Sequence, residues 1–194
     1  MGVCHDPSMT ESSIRLSAMN LGDGGTDVDD LAAFLAGNVF PFHAGRVYTP
    51  EEARASVVSG RWASSGTETY WVEADGVRIG TLTLDDLGDP TVMVDLRLAE
   101  AHRGRGLGAL ALRAVTDEVF AAHPETRRIE GQTRDDNLAM RATFSRAGWV
   151  KEACFREGWE PGHDAIGYAM LRNDWESGTT TPVNWDESTT IRPH

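Results

Sequence analysis

The chain predicts one mixed α/β domain with a central sheet of about seven strands flanked by helices. Three observations carry that reading. Asp75-Gly76 is a hairpin signal between two strand-like runs. Val92 to Leu98 (VMVDLRL) passes through the glycine-rich stretch His102 to Gly108 straight into a helical pattern. A second strand, helix and strand follow, so antiparallel strands lead into a β-α-β unit that must include parallel pairing.

Taken in order, Ile14 to Met19 reads as the first strand. Gly22 to Gly25 is a turn, after which Thr26 or Asp27 can cap a helix with apolar positions Val28, Leu31, Phe34 and Leu35 and a stop at Gly37. Phe40-Pro41-Phe42-His43 is an apolar loop. Thr49-Pro50-Glu51-Glu52 is a strong helix start, with Thr49 as cap, Pro50 at the first helical position and Glu52 closing a capping box. That helix should end near Gly60. Thr69 to Ala74 and Val77 to Leu84 form the hairpin, and Val92 to Leu98 is the third strand of the block. Leu107, Leu110, Ala111, Ala114, Val115 and Val119 make one wide apolar helix face, stopped at His123-Pro124. Arg128 to Thr133 is a short strand; Asp135-Asp136-Asn137 starts a helix that closes at Gly148. Trp149 to Arg156 is a strand, Gly158 to Gly162 a loop and Asp164 to Leu171 the last strand. The predicted domain covers residues 14–175. A flexible N-terminus (1–13) precedes it, and a polar tail (176–194), disordered or packed on the surface, follows.

Composition narrows the function. Of 194 residues, 40% are hydrophobic and 25% charged, as in soluble globular chains. No apolar run is long enough to span a bilayer and no signal peptide is visible, so neither membrane nor secretion is expected. A net charge of −12 argues against nucleic acid as the main partner. It is compatible with a cationic acceptor, although acidity also serves solubility. Cys4 and Cys154 have no metal or redox spacing, and the six histidines show no paired ligand spacing. A reducing cytoplasm and a metal-free site are the expectation.

The stretch His102-Arg103-Gly104-Arg105-Gly106-Leu107-Gly108 carries the chemistry. Glycines on alternate positions leave backbone N–H groups unshielded where a helix begins, and helix starts already have unpaired donors and partial positive charge. The result is an anion cradle suited to phosphate or pyrophosphate. A dinucleotide-binding dehydrogenase is disfavoured, because the motif follows an antiparallel block and no acidic ribose ligand stands on a second parallel strand.

The cradle, the later Asn137 with Gly148-Trp149 eleven residues on, and the element order resemble the GNAT N-acetyltransferase superfamily over residues 14–173. Its signature matches at Arg103-x-x-Gly106-x-Gly108. Asn137, the Pro41-Phe42-His43 loop and the ending His163 to Trp175 resemble the RimJ/RimL-like branch, which includes acetyltransferases of ribosomal-protein N-termini. The resemblance implies acetyl-CoA as co-substrate. Arg103, Gly104, Arg105, Gly106, Leu107 and Gly108 would hold its pyrophosphate. Backbone groups of Leu96, Arg97 and Leu98 would pair with the pantetheine arm, and Asn137 would reach the arm or the thioester region. The implied reaction is acetyl transfer to an amine of a protein N-terminus or a small molecule. An antibiotic- or polyamine-modifying enzyme, or an inactive acyl-CoA-binding module, are the alternatives.

Three residues depart from the family's usual chemistry. Met93 stands at or near the position of a frequent Glu, Phe144 where Tyr is common, and Met140 where the Rim branch often has Ser. The nearest carboxylate is Asp95, two residues on and on the same strand face, which makes it the candidate base or anchor of a base water. Glu130 is a second candidate. His43 is a candidate for lining the acceptor pocket or relaying protons. Phe40, Phe42, Asp164 and Tyr168 are candidate acceptor contacts. Trp159 is a lid, a homodimer contact or part of a satellite apolar cluster.

Overall fold

The computed structural model describes residues 13–22, 24–43 and 46–184. The expected flexible N-terminus up to residue 12, Cys4 and the last ten residues of the polar tail lie outside the described residues. The elements are β1 (Ile14–Ala18), α1 (Val28–Ala36), α2 (Pro50–Val58), β2 (Glu68–Ala74), β3 (Val77–Asp85), β4 (Thr91–Leu98), α3 (Leu107–Ala122), β5 (Arg128–Arg134), α4 (Leu138–Arg146), β6 (Val150–Glu160), β7 (His163–Leu171) and α5 (Arg172–Ser177). They build one seven-stranded sheet in the order β1-β2-β3-β4-β5-β7-β6. The predicted mixed α/β class and strand number are borne out. Every strand pair is antiparallel except β4–β5.

Alternation within each strand divides the core into two layers. On one face Val72, Leu82, Val92 and Val94 pack with Leu112, Val115 and Phe120 of α3 and with Phe144 of α4. On the other, Trp71 packs with Leu31 and Leu35 of α1, Val57 of α2, and Phe40 and Trp62 from the loops. The β2–β3 turn is as tight as its sequence demands. Asp75 (φ 51°) and Gly76 (φ 80°) both lie in the left-handed region, the signature of a type I′ hairpin.

The predicted start of α2 is present in full. Thr49 Oγ1 accepts from Glu52 N–H at 3.2 Å and Glu52 Oε2 accepts from Thr49 N–H at 2.9 Å. Thr49→Ala should therefore cost about 1 kcal/mol in urea unfolding.

Three expectations change. Asp27 occupies the cap position of α1 but makes no side-chain cap bond. Its buried carboxylate instead accepts from Asn20 N–H (2.9 Å), Trp71 Nε1 (2.8 Å) and Arg78 Nη2 (3.2 Å). Burial pushes this carboxyl up, yet the Asn20, Trp71 and Arg78 donors outweigh it and hold the group below its ordinary value. The end of α2 shifts only in detail: Val58 is its last residue, Ser59 its C-cap, and Gly60 follows at φ 80°, in keeping with the expected stop near Gly60. β6 runs on to Glu160 through a register shift, absorbing residues expected to be a loop. Finally, α5 forms where only a strand end and tail were expected. Arg172 anchors it by donating to the carbonyls of Phe120, His123 and Thr126, and Trp175 packs tilted against Phe120 with ring centroids 5.4 Å apart. Six residues are too few to show a helical period, so tertiary contacts decide this element.

Candidate active site

The site exists because two neighbouring strands part company. β4 and β5 pair only through Thr91, Val92 and Met93 with Arg128, Ile129 and Glu130. Beyond Met93 they diverge, and a cleft of about 760 Å³ opens between Val94–Leu98 on one side and Gln132 and Thr133 on the other. Its walls continue from the glycine loop, along α4, to the Phe40–His43 loop and Trp159.

At one end lies the start of α3. Gly106, its N-cap, has φ 80° and Gly104 has φ 72°, and a Cβ on either would meet no atom within 4 Å. Among the described residues, the five consecutive N–H groups from Gly104 to Gly108 have no protein partner. Bare backbone, a helix start and open space therefore coincide, as an anion cradle requires. Leu107 and Gly108 are buried at the first turn, and Gly108 allows α3 to approach Thr143 closely. Arg105 stands exposed on the loop and does not line the cleft. Arg103 has a structural task as well: Nε donates to the Leu98 carbonyl at 2.9 Å and Nη2 to the Val39 carbonyl at 2.7 Å, tying the loop before the cradle to the end of β4.

The middle of the cleft is an unpaired strand edge. Ala99 N–H donates to the Ile79 carbonyl at 2.9 Å, and antiparallel pairing alternates. Arg97 therefore turns its backbone groups toward β3, while Leu96 and Leu98 turn theirs toward the cleft. The Leu98 carbonyl is taken by Arg103, so Leu96 offers the free edge. β3 and β4 pair without a register shift, so this edge is regular along its length. Asn137 lines the cleft, but its amide is engaged: Oδ1 accepts from Met140 N–H (3.2 Å) and Nδ2 donates to Thr133 Oγ1 (2.9 Å).

The other end carries the titratable groups. His43 Nε2 donates to Asp95 Oδ1 at 2.9 Å, and Arg97 Nη2 donates to Asp95 Oδ2 at 3.0 Å. Asp95 is acceptor-only when ionised, so it holds the His43 proton on Nε2 and leaves the lone pair on Nδ1, which is buried and has no protein partner. The Arg97 guanidinium is 1% exposed and lies between the rings of Phe40 (5.3 Å) and Trp62 (5.0 Å). Burial pushes the Asp95 carboxyl up, but the hydrogen bond from His43, its charge when the ring is protonated, and the charge and hydrogen bond of Arg97 outweigh it and hold the group well below the usual carboxylate range. So stabilised an anion is a poor proton acceptor, and Asp95 is better suited to orienting His43 than to acting as the base itself.

Next to this cluster, His43, Arg46, Trp159 and Glu160 line a recess of about 250 Å³. His43 and Trp159 line both it and the main cleft. Arg46 Nη2 donates to both oxygens of Glu160 (2.9 and 2.7 Å). Arg134, which lies 4.8 Å over the ring of Phe42, also bonds Glu160 and grips Asp136 at 2.6 and 3.0 Å. Asp135, Asp136 and His163 meet beside it with ligand-like groups, but Arg134 already sits among them.

Several sequence candidates fall elsewhere. Tyr168 is buried in the core, stacked on Phe144 at 4.8 Å. Gly131, the cross-strand partner of Tyr168, leaves the space that the Phe144 ring needs. Asp164 points its carboxylate at Glu157 N–H (2.8 Å) and the Cys154 thiol, bracing the irregular turn of β6. Neither lines the cleft. Glu130 pairs with Arg128 outside it. Met93, Met140 and Phe144 do line it, without a hydroxyl or carboxyl among them. The Arg97 side chain, Arg46 and Glu160 were missed. Only Arg97 left a local signal, a charge two residues from Asp95 on the same face of an otherwise apolar strand.

A family model described as "Acetyltransferase (GNAT) domain" matches residues 24–150. The chain is a member of the GNAT acetyltransferase family. It is thus an acyltransferase, as the family resemblance implied. No curated protein matches this GNAT chain. Among solved structures it is similar to aminoglycoside acetyltransferase AAC(6')-Ib in complex with coenzyme A and kanamycin, with TM-score 0.69 and 20% identity over 85% of this chain and 98% of that one. It is similar to the Salmonella typhimurium acetyltransferase that modifies the N-terminal serine of 50S ribosomal subunit protein L7/L12, with TM-score 0.67 and 20% identity over 83% and 96% of the two chains. A GNAT acetyltransferase from Bacillus anthracis aligns with TM-score 0.67 and 17% identity over 84% and 98%. Likeness at this identity establishes the shared fold. No described helix is long and apolar enough to cross a membrane.

Proposed function

We propose that the protein transfers the acetyl group of acetyl-CoA to a primary amine, of a protein N-terminus or a small molecule, within the RimJ/RimL-like branch. One observation carries the reading: a single cleft runs from five unpartnered N–H groups at the start of α3, past a free strand edge, to the His43–Asp95–Arg97 cluster. The donor groups fit acetyl-CoA. Gly104 to Gly108 suit a pyrophosphate, and the Leu96 edge suits the amides of a pantetheine arm. When bound, acetyl-CoA supplies an activated thioester and a thiol leaving group.

The chain supplies the rest. His43, fixed in one tautomer by Asp95, takes the amine proton on Nδ1, a buried nitrogen without a protein partner, once the amine is packed against the ring. Met93, Met140 and Phe144 carry no acidic proton, so the leaving thiolate takes its proton from solvent.

Calorimetry with CoA and a thiol-release assay over a panel of amines test this together. CoA binding with amine-dependent thiol release is expected. Tight CoA binding with no release from any amine would favour the non-catalytic module. His43→Gln should lower kcat/KM by about 100-fold, the scale of a lost proton acceptor, with CoA affinity unchanged.

A further inference from the structure

We propose that the acceptor is a primary amine bearing a single positive charge on an apolar, ring-sized body, and not a polycation. This rests on the acetyl-transfer reading above and names the substrate class for it.

The charges around the acceptor end are already spent on one another. Asp95 accepts from His43 on one oxygen and from Arg97 on the other. Both oxygens of Glu160 are held by Arg46, and Arg134 bonds it as well. Asp136 is gripped by Arg134 through two bonds. Arg61, over Trp62, adds a further positive charge to the wall of the cleft. Among the described residues that line the cleft and the recess, Asp95 and Glu160 are thus both compensated, in a chain of net charge −12. A polyamine or aminoglycoside must shed water from several ammonium groups and needs several unpaired anions to repay that loss. One ammonium sheds water from a single group and gives up its proton to His43 before it reacts.

Shape agrees with charge. The recess holds about 250 Å³, roughly the liquid volume of eight waters and close to one substituted ring. Trp159 walls it, and Phe42 lies close by under Arg134. The Trp159 face favours a flat ring and tolerates one cation, while Arg46 and Glu160 on the remaining wall are already paired with each other. His43 lines both recess and cleft, so an amine entering from the recess meets the imidazole where the two spaces adjoin. The bonds exchanged stay those of acetyl transfer: N–C forms, C–S breaks, the amine proton leaves through His43, and the thiol regains a proton from solvent.

The test compares 2-phenylethylamine, a tetrapeptide with N-terminal phenylalanine, spermidine and kanamycin in the thiol-release assay at two salt concentrations. Either or both of the first two should exceed spermidine and kanamycin by about 100-fold in kcat/KM, and their KM should not depend on salt. Which of the two leads separates a free amine from a chain terminus. Trp159→Ala should raise KM for the preferred amine about tenfold while CoA affinity holds. Spermidine or kanamycin equal to or better than the aromatic amines would overturn the substrate class and leave acetyl transfer standing. No release from any probe, with CoA bound, would overturn both.

Discussion

Arg97→Met should lower kcat/KM by two to three orders of magnitude while moving folding stability by no more than about 2 kcal/mol. Two opposing costs produce that separation. Removing one partner of a buried ion pair is usually destabilising by about 3–5 kcal/mol, because the other charge is stranded. Here the stranded group, Asp95, is 29% exposed and keeps His43, so it can reach water and the loss is smaller. Against it stands a relief. Arg97 Nε and Nη1 are buried with no partner, and each such donor costs about 1–3 kcal/mol. Methionine removes both and fills the slot between Phe40 and Trp62 with apolar atoms.

Catalysis has no such compensation. Without Arg97 one of the two influences holding Asp95 ionised is gone, while burial, which pushes its carboxyl up, remains. In the wild type the folded carboxyl lies below its unfolded value. The stability it confers is therefore present above the ordinary carboxylate range and is lost only as pH falls through the depressed folded value. In Arg97→Met protonation begins at higher pH, so the acid limb of kcat/KM should move upward. Asp95 would then cease to accept from His43, and the imidazole would lose its orientation. A pH–rate profile and a urea titration on the same variant decide the matter. An acid limb that stays in place while activity falls in step with stability would reduce Arg97 to a packing residue.

The features legible in the sequence are those decided within a few residues. The Thr49–Glu52 capping box, the Asp75-Gly76 turn and the strand–glycine–helix cradle each carry their own physics locally, and all three are present. The features missed are decided across the chain. Asp27 has the residue type and place of a cap, but Trp71 and Arg78, 44 and 51 residues away, claim its carboxylate. Arg46 and Glu160 are 114 residues apart and meet only because β6 extends beyond its expected end. Asp164 and Tyr168 share a strand face with suitable chemistry, yet alternation cannot say whether that face meets a cleft or a core. Asp95 was found by position, and its role changed once its partners were known. A carboxylate with two donors is a weak base, and no count along a strand reveals donors that come from another loop and from the next alternate residue.

Gly106→Glu should abolish CoA binding, raising Kd by at least about 100-fold, in a protein that still folds. The conformational penalty is small: a φ of 80° costs an L-residue roughly 1–2 kcal/mol. No clash adds to it, since a Cβ at Gly106 meets no atom within 4 Å. A carboxylate at a helix N-terminus even recovers some 0.3–1 kcal/mol from the dipole. The same attraction damages the site. The new carboxylate satisfies N–H groups between Gly104 and Gly108 that would otherwise face the pyrophosphate, and it repels a ligand of like charge in the space the glycines keep open. Gly106→Ala separates strain from charge. It carries the same φ penalty and no anion, so Kd should rise only a few-fold. Calorimetry with CoA, beside thermal unfolding of all three proteins, reads both quantities. A folded Gly106→Glu protein that binds CoA within threefold of wild type would remove the cradle from the donor site. The pyrophosphate would then have to be held by other groups along the cleft.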